Sequence, residues 1–463
     1  MHKTMYLFAL IGAMISFSYA ADRNVSYNKK AFEIYKTAVE IPTVEGRGQV
    51  PKLANYLASE LKKAGFPQKD IHVLKVGETA ALVVRYRGDG RSNKKPISLS
   101  AHMDVVEALA NDWERDPFTL IEENGYFFGR GTSDDKAGMT AVVSNFIRLK
   151  KEGWIPSRDL IIAFSGDEET SMASTKALVG QYKHLIDSEF VLNADTGGGH
   201  IGADGSAPAS FGMQAAEKTY TDIEITIRNP GGHSSRPRKD NAIYELAAAL
   251  MNIEQFQFPV QASELTRVFF KGTGSKVKGD LGKAMLKFAK NPKDAWAIKI
   301  LRANPTTVGT IATTCIATML RGGHAPNALP QSATANVNCR IFPGTTVGKI
   351  IQTLKEVVAN KNIEFKIVSE PTPTKASPLR EDVLAALRKA VDTRYKGLEI
   401  IPSMSSGGTD GMHFRAAGIP SYGVNGVFSK GGSFAHGLNE RIPVDSFYSN
   451  LEHWYVLLKE IAK

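Results

Sequence analysis

Three apolar runs of strand character end in acidic residues, and this repeated pattern constrains the fold more than any other feature of the chain. Ser98-Leu-Ser-Ala-His102 leads into Asp104, the run 160–164 into Asp167-Glu168-Glu169, and Val191-Leu-Asn-Ala into Asp195. Between the first two, Ala137, Ala141, Val142, Ile147 and Leu149 recur with helical character over 137–149, and Gly153 supplies a stop. Strand, helix and strand in alternation, with polar residues at strand ends, predict a doubly wound α/β core. In such a core, ligands gather outside the carboxyl ends of the strands. Residues i and i+2 of an extended backbone face the same side, so His102 and Asp104 can touch. A carboxylate beside an imidazole fixes its tautomer and raises its basicity.

Two more motifs carry the same chemistry. Gly129-Arg-Gly-Thr-Ser-Asp134-Asp135-Lys136 opens the helical run, and Phe434-Ala-His436-Gly-Leu-Asn-Glu440 adds a second histidine far downstream. Imidazole and hard oxygen without thiolate suit Zn, Mn or Co rather than an iron–sulfur cluster. Taken singly, each carboxylate reads as a solvated loop residue, and a lone histidine near an apolar strand as a core residue. Taken in order, the five motifs resemble the co-catalytic dizinc exopeptidases, a family that includes glutamate carboxypeptidase, aminoacylase, carnosine-type dipeptidases and succinyl-diaminopimelate desuccinylase. The likeness runs over nearly the whole chain.

The resemblance implies a full site. His102 and Asp195 hold one zinc, Glu169 and His436 the other, and Asp134 bridges both, with Co or Mn as alternative metals. Asp104 orients His102, a cis peptide follows Asp134, and Glu168 is the general base. His233, in Gly231-Gly-His233-Ser-Ser, reaches the carbonyl oxygen of the transition state, in many members from a partner subunit. Arg340, in Asn338-Cys-Arg340-Ile-Phe-Pro-Gly, grips the substrate's terminal carboxylate, a task that suits a planar guanidinium. Asn327 and the turn Gly407-Gly408-Thr409 complete the pocket. Read from the residues alone, His233 is equally a solvated turn histidine and Arg340 a member of a surface ion pair. Asp135 and Asp167 read as structural, and His324 and His413 match no ligand position.

At 463 residues the chain is too long for one ordinary core. Its character changes near Glu217: Ile223, Ile225 and Ile227 share one face of an alternating strand, the mark of a sheet with one solvated side. Helices over 241–256 and 347–359, with strands over 306–320, 333–342 and 363–368, complete a β–α–β–β–α–β order of the split ferredoxin-like kind. The expected division is a catalytic domain over 21–215 and 371–463, with a lid or dimerisation domain over 216–370 inserted in it. A Lys-rich insertion over 257–304 carries helices of its own and could occupy the space that a lid-to-lid homodimer needs.

The net charge of +10 invites a nucleic-acid reading. No helix-turn-helix, RNA-binding or zinc-finger pattern supports it, and attraction of acidic substrates is the simpler meaning. Lys3, the apolar run 5–17 and Ser18-Tyr19-Ala20 form a signal peptide over 1–20, implying a periplasmic or secreted enzyme with no membrane partner after cleavage. Cys315 and Cys339 flank a connection over 321–331, either as a cross-strand disulfide or as two separate thiols. The expected activity is hydrolysis of a peptide bond next to a free carboxylate, as a carboxypeptidase or dipeptidase. Deacylation of N-acyl amino acids by the same site is the alternative. A cytoplasmic desuccinylase is disfavoured by export.

Overall fold

The computed structural model describes residues 25–202, 204–432 and 434–463. The signal peptide expected over 1–20 therefore lies outside the described residues. Among those residues, no helix is long and apolar enough to cross a membrane.

A ten-stranded mixed sheet forms the larger layer. Its strands in chain order are β1 (Ile71–Val76), β2 (Thr79–Tyr86), β3 (Ile97–His102), β4 (Leu160–Ser165), β5 (Phe190–Asn193), β6 (Gly198–Ile201) and β7 (Phe211–Glu217). A second, four-stranded sheet contains β8 (Thr219–Arg228), β9 (Thr314–Gly322), β10 (Ser332–Ile341) and β11 (Glu364–Ile367), after which β12 (Ile400–Ser405), β13 (Ser421–Gly423) and β14 (Phe428–Lys430) return to the first. The large sheet has the order β1-β2-β4-β3-β5-β13-β7-β6-β14, with β12 paired parallel to β7. At its centre β4, β3, β5 and β13 are parallel, so their carboxyl ends emerge at one edge. The doubly wound core expected from the alternation is present, widened by antiparallel strands on both sides.

Alternation along the central strands explains the layering. Leu82, Val84, Leu160, Ile162 and Phe164 enter the main core, while Ala81, Val83, Ile161 and Ala163 enter a smaller one on the opposite face. Covering both faces demands helices on both. The main core is closed by α1 (Ser26–Glu40), α2 (Val50–Lys63), α3 (Lys136–Lys151) and the C-terminal helix Val444–Ile461; the smaller one is closed by α4 (Ala173–Val179). Fully burying each large aliphatic or aromatic side chain contributes about 1.5–3 kcal/mol. Helix α3 begins hard against the end of β5: a Cβ at Gly138 would lie 2.4 Å from the Ala194 carbonyl oxygen and 2.2 Å from Asp135 Oδ1. Only glycine permits that approach.

The smaller sheet has the order β9-β10-β8-β11, all antiparallel, and carries α5 (Ala242–Gln255) and a helix at Val347–Val358 over a core of its own. This is the ferredoxin-like arrangement expected from the element order. Cys315 and Cys339 stand opposite each other in the β9–β10 register and form a disulfide, which closes the alternative left open in the sequence.

Two expectations fail here. The strand expected over 306–320 is helix for its first part: α9 (Pro305–Ile311) precedes β9. The Asn304 side chain accepts from Thr306 N at 2.9 Å and Pro305 occupies the first turn, so cap chemistry overrides the β-branched Thr306-Thr307-Val308. Strand β12 was not anticipated, because Pro402 and the two serines Ser403 and Ser405 break any alternating pattern. The insertion does hold its own helices, α6 (Glu264–Gly274), α7 (Gly279–Lys290) and α8 (Ala295–Ala303), packed around Phe270, Phe288 and Leu301.

Candidate metal centre and active site

The carboxyl ends of three parallel strands deliver most of the site. His102 closes β3, Glu168 and Glu169 follow β4 after a short turn, and Asp195 lies two residues beyond β5. Asp134 comes from the loop before α3, and His436 from the loop before the last helix. His102 Nε2 lies 2.9 Å from Asp134 Oδ1 and 3.9 Å from Asp195 Oδ1. His436 Nε2 lies 2.9 Å from Glu169 Oε1 and 3.3 Å from Asp134 Oδ2. The two oxygens of Asp134 thus face different histidines. Among the described residues, His102–Asp134–Asp195 and Asp134–Glu169–His436 each offer ligand atoms within 4.8 Å of one another, as does His102 with Glu168 and Glu169. Two overlapping groups that share one carboxylate are what a dinuclear centre requires. Nitrogen and carboxylate donors without sulfur fit a borderline or hard divalent cation.

Asp104 works behind this array. His102 Nδ1 lies 3.1 Å from the Asp104 carbonyl oxygen and 3.5 Å from its Oδ1. The same carboxylate accepts from Glu168 N at 3.1 Å and Glu169 N at 3.0 Å. One buried aspartate therefore sets both an imidazole and the turn that presents two glutamates. Asp134 and Asp135 are joined by a cis peptide bond.

The carboxylates and imidazoles of the site shift one another's protonation. Burial opposes ionisation of His102, yet Asp104 and Asp134 raise its pKa well above the usual value. Asp134 and Glu169 lift that of His436 to about 10. Burial also acts on Asp134, but hydrogen bonds with both histidines hold it below the ordinary carboxylate range. Glu168 and Asp195 are pushed up, mainly by burial. Divalent cations would compensate the carboxylate charge, and their binding requires neutral imidazoles and so releases protons.

Several supporting residues were not singled out from sequence. Glu440, fully buried, accepts from the backbone of Gly131, Ser133 and Asp134 at 3.0, 2.8 and 3.1 Å and pairs with Arg130 at 2.8 Å. It holds the loop that carries Asp134, and its place four residues after His436 was the available signal. Asn193 Oδ1 accepts from Asp195 N at 3.0 Å, and Asn193 Nδ2 donates to Thr409 Oγ1 at 3.3 Å. Thr409, which the sequence placed in the pocket turn, in turn donates to Glu217 Oε1, which pairs with buried Arg415 at 2.8 Å. Asp410, also buried, accepts from Ser165 and Thr175. Asp167 accepts from Ser171 Oγ, Ala173 N and Ser174 N around the start of α4, a structural role as expected. Asp135 is buried and belongs to none of the three ligand groups.

The remaining expected residues lie on the smaller sheet or next to it. His233 is exposed, on a short ribbon paired with Ala328, and its Nδ1 accepts from Ser235. Ser234 N donates to the Asn327 carbonyl at 3.0 Å, so His233 and Asn327 are neighbours. Arg340 donates to the Ser406 carbonyl at 2.9 Å and stacks over Tyr220 at 4.6 Å. Among the described residues it makes no close ion pair, although Asp222 lies near enough to feel its charge. It sits instead beside the exposed turn that contains Gly408. No hydrogen bond or ion pair among the described residues joins His233, Asn327 or Arg340 to the carboxylate cluster.

Fold and site together define a hydrolytic enzyme of the metallopeptidase and amidohydrolase class. Residues 98–460 match the model of peptidase family M20/M25/M40, and the chain belongs to that family. An N-fatty-acyl-amino acid synthase/hydrolase of Homo sapiens is 28% identical over 382 residues, covering 79% of this chain and 74% of that protein. Among solved structures, an M20 family metallo-carboxypeptidase from Sulfolobus solfataricus superposes with a TM-score of 0.70 at 19% identity, over 94% of this chain and 99% of that one. A dinuclear metal binding peptidase of the same family from Bacillus subtilis has a TM-score of 0.59 at 12% identity, over 94% and 98%.

Proposed function

We propose that this enzyme is an exported dizinc hydrolase that cleaves an amide bond next to a free carboxylate, as a carboxypeptidase or dipeptidase. The observation that carries this reading is the division of Asp134 between two His–carboxylate groups. His102 and Asp195 would hold one metal, Glu169 and His436 the other, with Asp134 shared. When bound, the two metals supply an activated water and polarise the substrate carbonyl. Glu168 takes a proton from the attacking water at its carboxylate and passes it to the leaving nitrogen. Arg340, with one face on Tyr220, receives the substrate carboxylate beside the Gly408 turn, while Asn327 stands with His233 at the opposite end of β8 and β10 and would meet the same substrate from a partner copy. His233 donates to the carbonyl oxygen as charge develops there. The domain division proposed from sequence, with a lid over 216–370, places these last residues on a different unit from the metal ligands.

Export is supported by the N-terminal sequence and by the Cys315–Cys339 disulfide, since such bonds persist in oxidising compartments. A homodimer through the lid is supported by edge strand β9, where Ile316, Met319 and Leu320 are 64%, 65% and 69% exposed. A long apolar edge of this kind is ordinarily covered.

A second reading, release of the amino acid from N-acyl amino acids, is favoured by the human relative. Both reactions leave an amino acid with a free carboxylate. Hydrolysis of dipeptides, longer peptides and N-acyl amino acids by metal-stripped enzyme, with and without Zn²⁺, separates them. Zinc-restored release from free-C-terminal peptides establishes the peptidase; restoration on acylated amino acids alone moves the enzyme to the deacylases. No zinc-dependent turnover on any of them overturns the proposal.

A further inference from the structure

Most of the chain's net positive charge is concentrated in the helical insertion. Residues 257–304 contain ten Lys and Arg against three Asp and Glu, a net of +7 out of +10 for the whole chain. The distribution is directional. Lys283, Leu286, Lys287 and Lys290 recur at i, i+3, i+4 and i+7 along α7, one face of a helix, and all are exposed. Arg267 and Lys271 face the same region from α6. Between the two helices lies an open cleft of about 620 Å³, floored by Val268, Leu286 and Ala289 and edged by Arg267, Lys271 and Lys290, with Glu264 the one acidic residue on its rim. A shallower hollow beside it shares Leu286 and reaches Trp296. Leu286 and Trp296 are 42% and 38% exposed. Among the described residues only Lys283 and Lys287 of these cations have acidic partners, at 3.3 and 3.9 Å. Arg267, Lys271 and Lys290 have none.

A helix face that serves solubility alone mixes both signs and avoids exposed Leu and Trp. This face is lopsided instead: Arg267, Lys271, Lys283, Lys287 and Lys290 stand against Glu264, Asp280 and Asp294, within an insertion of net +7, and a leucine and a tryptophan lie exposed between them. An excess of lysine around exposed apolar side chains is a composition that suits a lipid interface. A polyanion such as nucleic acid would leave the apolar residues without a partner. We propose that the α6–α7 face docks on an anionic lipid bilayer, its lysines and Arg267 meeting headgroup phosphates while Leu286 and Trp296 enter the acyl boundary. The helix pair packs on the catalytic layer through other residues, Gly272 against Ile401 and Lys276 against Glu399 at 2.9 Å. Strand β12 then runs from beneath it to the Gly408 turn, so docking would orient the enzyme without using any residue of the metal cluster.

The test is co-sedimentation of the full enzyme with vesicles of phosphatidylcholine alone or mixed with phosphatidylglycerol, at low and high salt. The wild type is expected to bind the anionic vesicles, to release them at high salt and to ignore phosphatidylcholine. Each surface lysine strengthens such binding roughly five-fold, so Lys283→Gln, Lys287→Gln and Lys290→Gln together should weaken it on the order of 100-fold. Leu286→Gln with Trp296→Gln should also weaken it, leaving only salt-sensitive adsorption. Thermal unfolding and turnover of a soluble substrate, both unchanged, confirm that the variants fold. Equal sedimentation of wild type and the lysine variant overturns the proposal. So does an apolar variant that binds like wild type, or binding to duplex DNA with indifference to the vesicles.

Discussion

Glu168 and Glu440 do different work for the same cluster, and a single substitution at each separates the two roles. Glu168 belongs to neither of the two groups that share Asp134, and its backbone is fixed by Asp104, so Glu168→Gln should keep two metals per chain while turnover falls about 10²–10⁴-fold. Metal analysis alongside steady-state kinetics checks both halves; unchanged turnover would remove Glu168 as the base. Glu440 touches no proposed metal position, yet three backbone amides and Arg130 depend on it. Glu440→Gln should loosen the Asp134 loop and weaken metal retention about 10–100-fold in chelator competition. A variant that holds metal like wild type would reduce Glu440 to a packing residue.

At the level of elements, the C-terminal helix carries a pH-sensitive contribution. His453 is buried there, stacked on Phe211 with Nε2 2.9 Å from the Val424 carbonyl oxygen, and burial lowers its pKa to about 4. The unfolded chain protonates the same residue near its ordinary value of about 6.5. As pH falls from about 6.5 to 4 the unfolded state binds a proton that the folded state refuses, so stability drops across that window, by about 3 kcal/mol in total. His453→Gln should flatten this part of the pH dependence of thermal unfolding and leave the slope above pH 6.5 alone. The disulfide acts on a different element. It ties edge strand β9 to β10 across a sequence separation of 24, and replacing both cysteines by serine should lower stability by about 3 kcal/mol. Chemical denaturation of the two forms measures that difference.

For the whole molecule, the question is what covers β9. If two copies pair there, Met319→Lys with Leu320→Lys should convert a dimer into a monomer in sedimentation, while a soluble substrate is still bound at the metal cluster. Should His233 act across that interface, kcat falls together with the dimer. A wild type that sediments as a monomer at all concentrations would remove the lid-to-lid pairing and leave His233 to act within one chain.

How much of this was legible in the sequence depends on the range of the physics involved. The parallel core was readable because apolar runs ending in acids, separated by a helical repeat, are local signals. The division of Ile223, Ile225 and Ile227 onto one buried face was equally local. Cap chemistry was also present at Asn304-Pro305, but the β-branched residues after it pointed to a strand, and one hydrogen bond with a preset proline φ prevailed. Strand β12 carried no local signal at all; pairing with β7 makes it a strand. The grouping of His102, Asp134, Glu169, Asp195 and His436 as proposed ligands came from the order of the motifs and their family resemblance, since spacing alone does not choose within Asp134-Asp135 or Glu168-Glu169. That Asp134 turns one oxygen to each histidine, that Glu440 clamps its loop, and that Arg340 meets the Gly408 turn from another sheet were decided only by the tertiary structure. Each of those relations joins residues tens to hundreds of positions apart, and no periodicity in a sequence encodes which distant loops will share a strand edge.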